Sequence, residues 1–139
     1  MVDALEETWR VLARSGRLID LRPSGLPRPL EVLINGVAAR AGEIDTSAGY
    51  PDDEAADSAI ESMVARSRFE RLQETTFPYR YEWDQLDRMR RYIETEWSDF
   101  ASIPAAAWQE AERIIAANPG IRKRVRVTSH MHLGTYQKI

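Results

Sequence analysis

Apolar residues recur along the chain with two periods, one near 3.6 and one of 2, and the alternation between them predicts its elements. Leu5, Trp9 and Leu12 stand at i, i+4 and i+7 on one helical face, and Gly16 sits where a left-handed residue ends a helix. Leu18, Ile19 and Leu21 follow as a short strand, so the opening reads helix, stop, strand and implies a parallel α/β unit. Pro23, Gly25, Pro27 and Pro29 make the next stretch a loop. Residues 30–45 then read as a hairpin, because Asn35-Gly36 between two β-prone runs suits a turn that needs positive φ at both central positions. A helix over 52–66 is predicted from Ala56, Ile60, Met63 and Val64, with Asp52, Asp53 and Glu54 at its start and Arg66 and Arg68 at its end, as the helix dipole favours.

The segment 69–83 is the clearest strand: Phe77, Tyr79, Tyr81 and Trp83 alternate with Pro78, Arg80 and Glu82. Pro78 lacks a backbone donor and places this strand at an edge or a bulge. Asp84 reads as the N-cap of a helix through Trp97, with Leu86, Met89 and Ile93 on its apolar face. A further helix over 104–117 carries Trp108, Ala111 and Ile115, and Asn118-Pro119-Gly120 ends it. The last strand runs over 122–138, with a bend expected at Gly134.

The run from Leu5 to Arg22, a leucine-bearing helix, a Gly16 turn and a hydrophobic strand, resembles the late helix and fifth strand of class I S-adenosylmethionine-dependent methyltransferases. In that family a helix and two antiparallel strands follow and finish the sheet, and the matching pieces here are 52–66, 69–83 and 122–138. The resemblance covers the second half of the family fold only. It implies an α/β fold with an α+β-like character: a mixed, largely antiparallel sheet of about five strands flanked by helices, in one domain over 1–139. The hairpin 30–45 stands as an insertion. The cofactor-binding half of the family carries a Gly-rich turn, and no two glycines here are separated by a single residue, so no G-x-G-x-x-G fingerprint is present. No cofactor is therefore expected.

A chain of 139 residues suits one domain, burying ~70% of its unfolded surface. The absence of cysteine excludes disulfides, thiolate zinc sites and cysteine nucleophiles. The acidic start Asp3-Ala4-Leu5-Glu6-Glu7 is unlike a signal peptide, and no apolar run approaches a membrane span, so a soluble, cytoplasmic protein without a membrane partner is expected. Net charge is −3, and the run Arg122-Lys123-Arg124 with Arg126 is the one basic exception. A solvated strand end explains that run more simply than nucleic acid, which is not expected as a partner.

Candidate chemistry is sparse. His130 and His132 lie at i, i+2 on a strand, the spacing of a metal or acid–base pair, but a third ligand would have to come from a distant carboxylate such as Glu43 or Asp45. Two histidines on a solvent face are the simpler reading, and no catalytic or metal-ligating residue is assigned. The aromatic strand reads first as core, packed on the helices at 84–97 and 104–117. Where that ladder leaves the core, Tyr79, Tyr81 and Trp83, with His130 and His132, are the candidate lining of a ligand pocket for a small molecule. The apolar strand at Arg17–Arg22 is expected to need cover, so a homodimer or a partner protein is expected, with Trp9 and Leu18 at or near the contact.

Three functional readings follow. The first is a non-catalytic, methyltransferase-like interaction or oligomerisation module, so that the isolated chain is not expected to be an enzyme. The second is a component of a split methyltransferase acting on a small molecule. The third is a small-ligand-binding domain built on the aromatic strand 77–83.

Overall fold

In the computed structural model, which describes residues 2–139, the two hydrophobic periods become helices and strands close to the expected places. Helix α1 covers Val2–Val11, followed by strands β1 (Arg17–Pro23), β2 (Arg28–Ile34) and β3 (Val37–Ile44). A short 3-10 turn at Ser47–Gly49 leads into α2 (Tyr50–Ala65), β4 (Phe69–Trp83), α3 (Leu86–Glu96), α4 (Ala105–Ala116) and β5 (Lys123–Lys138). The fold is mixed α/β, an open five-stranded antiparallel sheet flanked by helices. Strand order is β1-β5-β2-β3, with β4 also paired to β5. The parallel neighbour implied by the helix–stop–strand opening is absent among the described strands, because β5 returns antiparallel to β1. No helix is long and apolar enough to cross a membrane.

Residues group into two compact units. The first holds the segment ending at Gly25, Tyr50–Phe77 and Met131–Ile139. Its core is Ile60, Met63, Phe69 and Tyr136, with Leu5, Trp9, Leu12 and Leu18 packed against them. Each such side chain removed from water contributes ~1.5–3 kcal/mol, which is what holds a ten-residue α1 that would be marginal alone. The left-handed residue after α1 is Ser15 (φ 59°), not Gly16. Gly16 is needed for space instead, since a Cβ there would lie 2.8 Å from the Ala13 carbonyl oxygen. Lys138 ties the C-terminal strand to this turn: its backbone N–H donates to Gly16 O (2.8 Å) and its Nζ to Leu12 O (2.8 Å), a cation at a helix C-terminus. The β1–β5 register sets Leu18 opposite Tyr136, Asp20 opposite Gly134 and Arg22 opposite His132.

The second unit holds Leu26–Gly49 and Pro78–His130. Asn35 (φ 49°) and Gly36 (φ 84°) form the expected tight turn of the β2–β3 hairpin. Leu30 and Val32 pair with Val127 and Val125 of β5, and these four, all nearly inaccessible, face Met89, Ile93, Trp97, Ala107, Ala111 and Ile114. The buried stripe of α4 is thus Ala107-Ala111-Ile114, turned by one residue from the expected Trp108-Ala111-Ile115. The cause is contact at small residues: a Cβ on Gly42 (φ 155°) would come within 2.6 Å of Ala107 Cβ, so α4 lies directly on the hairpin backbone. Helix α3 starts one residue later than expected, with Gln85 rather than Asp84 at the cap position, and Asp84 pairs with Arg88 on the helix surface (3.2 Å).

The aromatic strand divides. Tyr81 and Trp83 join a ring cluster with Tyr92 and Trp97, and Tyr81 meets Trp97 edge-on at 4.8 Å. Tyr79 is 49% exposed, touching Tyr81 edge-on at 4.9 Å, and Phe77 is also exposed. The alternation predicted one buried face for all four; residues 70–80 are instead exposed throughout, and the strand is packed only where helix residues reach it. In urea denaturation, Trp97→Ala is expected to cost about 3–5 kcal/mol through cavity formation. Tyr79→Ala should cost only about 1 kcal/mol, the worth of its single ring contact.

Candidate functional site

The first unit changes character along one sheet face. Leu18 and Tyr136 belong to its core, whereas the next same-face positions, Asp20 and Arg22 on β1 and His132 on β5, are polar and mostly buried. Arg22 Nε donates to both Asp20 oxygens (3.2 and 2.9 Å) and its Nη2 to Asp57 of α2. Burial by itself lowers the Arg22 pKa, but the hydrogen bonds to Asp57 and Asp20 outweigh it and the net shift is upward. His132 Nε2 is buried without a hydrogen-bond partner, 3.8 Å from Asp20 Oδ2 and 3.9 Å from Glu74 Oε1. Glu74 accepts the Tyr136 hydroxyl (2.9 Å).

Gly134 makes this arrangement sterically feasible. A Cβ at position 134 would lie 2.7 Å from Tyr136 Cε2 and from its hydroxyl oxygen, so the ring occupies the space a side chain would fill. Gly134 is paired within β5 and marks this ring contact rather than a bend. Burial, then the hydrogen bond to the Glu74 carboxylate, push the Tyr136 pKa strongly upward.

Beside His132 lies a cavity of about 390 Å³, lined among others by Arg22, Ser24, Tyr50, Glu54 and Asp57. Two buried polar atoms on its lining residues, Ser24 Oγ and His132 Nε2, have no partner. Such groups cost ~1–3 kcal/mol each unless water or a ligand satisfies them. The cavity can admit a small polar molecule that bonds these two atoms.

Tyr79, Tyr81, Trp83 and His130 belong to the second unit and His132 to the first. His130 is half-buried with Nδ1 unpartnered. Glu43 is engaged by Arg40, and Asp45 accepts the Ser47 backbone N–H (2.9 Å), which lowers its pKa. Among the described residues no three His, Asp or Glu side chains are arranged to hold a metal ion. Asp20 and Arg22 were signalled by their i, i+2 interruption of an apolar strand; Glu74, more than fifty residues from either, had no local signal.

The edge of β1 is the second feature. Lys138 N–H donates to Gly16 O, so the even-numbered positions bond toward β5. The N–H and C=O groups of Arg17, Ile19 and Leu21 therefore point to the other edge, and β1 ends the strand order. Ile19 (64%) and Leu21 (57%) are exposed. Trp9 and Leu18 are packed within their own unit, with Arg68 and Lys138 over the Trp9 ring at 4.2 and 4.6 Å.

Compared with known proteins, the chain matches no family model, no curated protein and no solved structure.

Because the folded state retains the Tyr136 proton where the unfolded chain loses it, near pH 10, this group's stabilisation is complete below about pH 10 and falls as pH rises above it. Stability measured between pH 9 and 11 should therefore decline less in Tyr136→Phe than in the parent. Gly134→Ala should displace the ring and cost about 1–3 kcal/mol in urea denaturation.

Proposed function

We propose that the chain is a methyltransferase-like interaction module that works through the open edge of β1, and that the occupant of this edge is β1 of a second copy. Support for the family comparison comes from the order of elements. Helix α1 and strand β1 are followed, after the β2–β3 hairpin, by α2 and then by two long strands that pair with each other, β4 and β5, with α3 and α4 between them in sequence. The observation that carries the functional reading is the set of outward backbone groups at Arg17, Ile19 and Leu21, combined with two exposed apolar side chains on a strand with only one neighbour. Such an edge pairs readily with another strand. An antiparallel pair centred on Ile19 sets that residue against its own copy and Arg17 against the copy's Leu21, and leaves Pro23, which has no N–H, outside the ladder.

A second reading, a component of a split methyltransferase, rests on the cavity beside His132, which lies in the same unit as β1 and is large enough for a small acceptor. The lack of a Gly-rich fingerprint favours the non-catalytic module for this chain.

Light scattering at tens of micromolar should return twice the 15.9 kDa chain mass, and Leu21→Lys should return it to 15.9 kDa without loss of helix content. A parent protein that scatters as a single chain would overturn the self-pairing. Titration with S-adenosylmethionine should give no saturable heat. A one-to-one site of micromolar affinity, about −8 kcal/mol, would instead favour the enzyme component.

A further inference from the structure

The second unit carries a basic cavity that the edge of β1 does not involve. At the start of β5, Val125 and Val127 point into the core, and the alternate positions Arg124 and Arg126 take the other sheet face. Arg122 joins them, because the Asn35 N–H bonds its carbonyl (3.3 Å) and sets the β2–β3 turn beside it. These three arginines, with Leu33, Gly36 and Glu82, line a cavity of about 570 Å³.

Their charges are unevenly matched. Arg126 is closed off: its Nε and Nη2 both reach Glu31 Oε2 at 2.9 Å, and both side chains are about one-fifth exposed. Arg124 is held by one contact, Nη1 to Glu82 Oε2 at 2.9 Å, and its side chain is 45% exposed. The Arg122 side chain has no ion-pair partner among the described residues. Three guanidiniums against two carboxylates leave one positive charge, and it lies at Arg122, next to the half-engaged Arg124.

We infer that this cavity binds a small organic phosphate, with the phosphate group bridging Arg122 and Arg124. Two residues apart on an extended chain, their Cα atoms stand ~6.5–7 Å apart, a span that long side chains close onto one tetrahedral anion. A phosphate monoester offers three terminal oxygens and two negative charges, enough for both forks, whereas a carboxylate has two oxygens and saturates one. Glu82 already orders Arg124, which lowers the entropy cost of engaging it. Leu33 provides an apolar wall for the organic part, and Gly36, around whose Cβ position nothing lies within 4 Å, keeps the turn side open. The volume falls within the ~300–1,000 Å³ usual for small-molecule sites.

Phenyl phosphate is the probe, titrated at constant ionic strength into nitrogen-15-labelled protein. Saturable shifts are expected at the Gly36 amide and at the Nε groups of Arg122 and Arg124, with a sub-millimolar Kd. Arg122→Gln, at an exposed position, should leave the spectrum folded and weaken binding at least tenfold. Arg113→Gln, on α4 and outside the cavity, should leave binding unchanged. Benzoate, with the same ring and a single carboxylate, should bind at least tenfold more weakly. Non-saturating shifts, shifts reproduced by chloride alone, or parent-like binding by Arg122→Gln would overturn the site. Equal affinity for benzoate would overturn the phosphate assignment, and tighter binding of a single-stranded oligonucleotide would overturn the small-molecule assignment.

Discussion

Register along β5 is the constraint on which both units depend, since β1, β2 and β4 all take ladder hydrogen bonds from this one sixteen-residue strand. In the second unit the register presents Val125 and Val127 to α3 and α4 and keeps Arg124 and Arg126 on the other face. In the first it presents Tyr136 to the core and His132 to the carboxylates. Side chains alternate with a period of two, so a slip of one residue against β2 would drive arginines into an apolar core. The same slip against β1 would set Leu133 opposite Arg22 and Thr135 opposite Asp20, and would turn His132 and Tyr136 to the other sheet face, away from Asp20 and the core. The arginine row of the second unit and the His132 cluster of the first both follow from these registers.

Those polar features differ in how their charges are met. Around His132 the cation is the more satisfied partner: Arg22 is shared between two carboxylates, and the imidazole nitrogen is left between acids it does not bond. Around Arg122 the reverse holds, with the carboxylates committed and a guanidinium in excess. A protein of net charge −3 thereby keeps local fields of both signs.

Much of the fold was legible because local chemistry and tertiary packing agree at the informative positions. Asn35-Gly36 defined its turn, and strand 69–83 has the bounds that its punctuation predicted. Other features depended on partners remote in sequence. Alternation alone does not show that helix residues cover Tyr81 and Trp83 and leave Phe77 and Tyr79 open. The cluster at His132 was half visible, since Asp20 and Arg22 interrupt an apolar strand, but Glu74 and Asp57 reach it from elements whose placement is set by the sheet.

The contact between Gly42 and Ala107 gives two positions sixty-five residues apart a shared identity. With the Cβ of one already in the place a Cβ on the other would take, enlarging either residue lifts α4 from the hairpin, and Gly42 has in addition a backbone conformation that disfavours any side chain. Neither position is therefore free to drift alone. Among divergent descendants of this chain the pair would be inherited as a unit, and a larger residue at 107 would appear only where the hairpin had first been rebuilt.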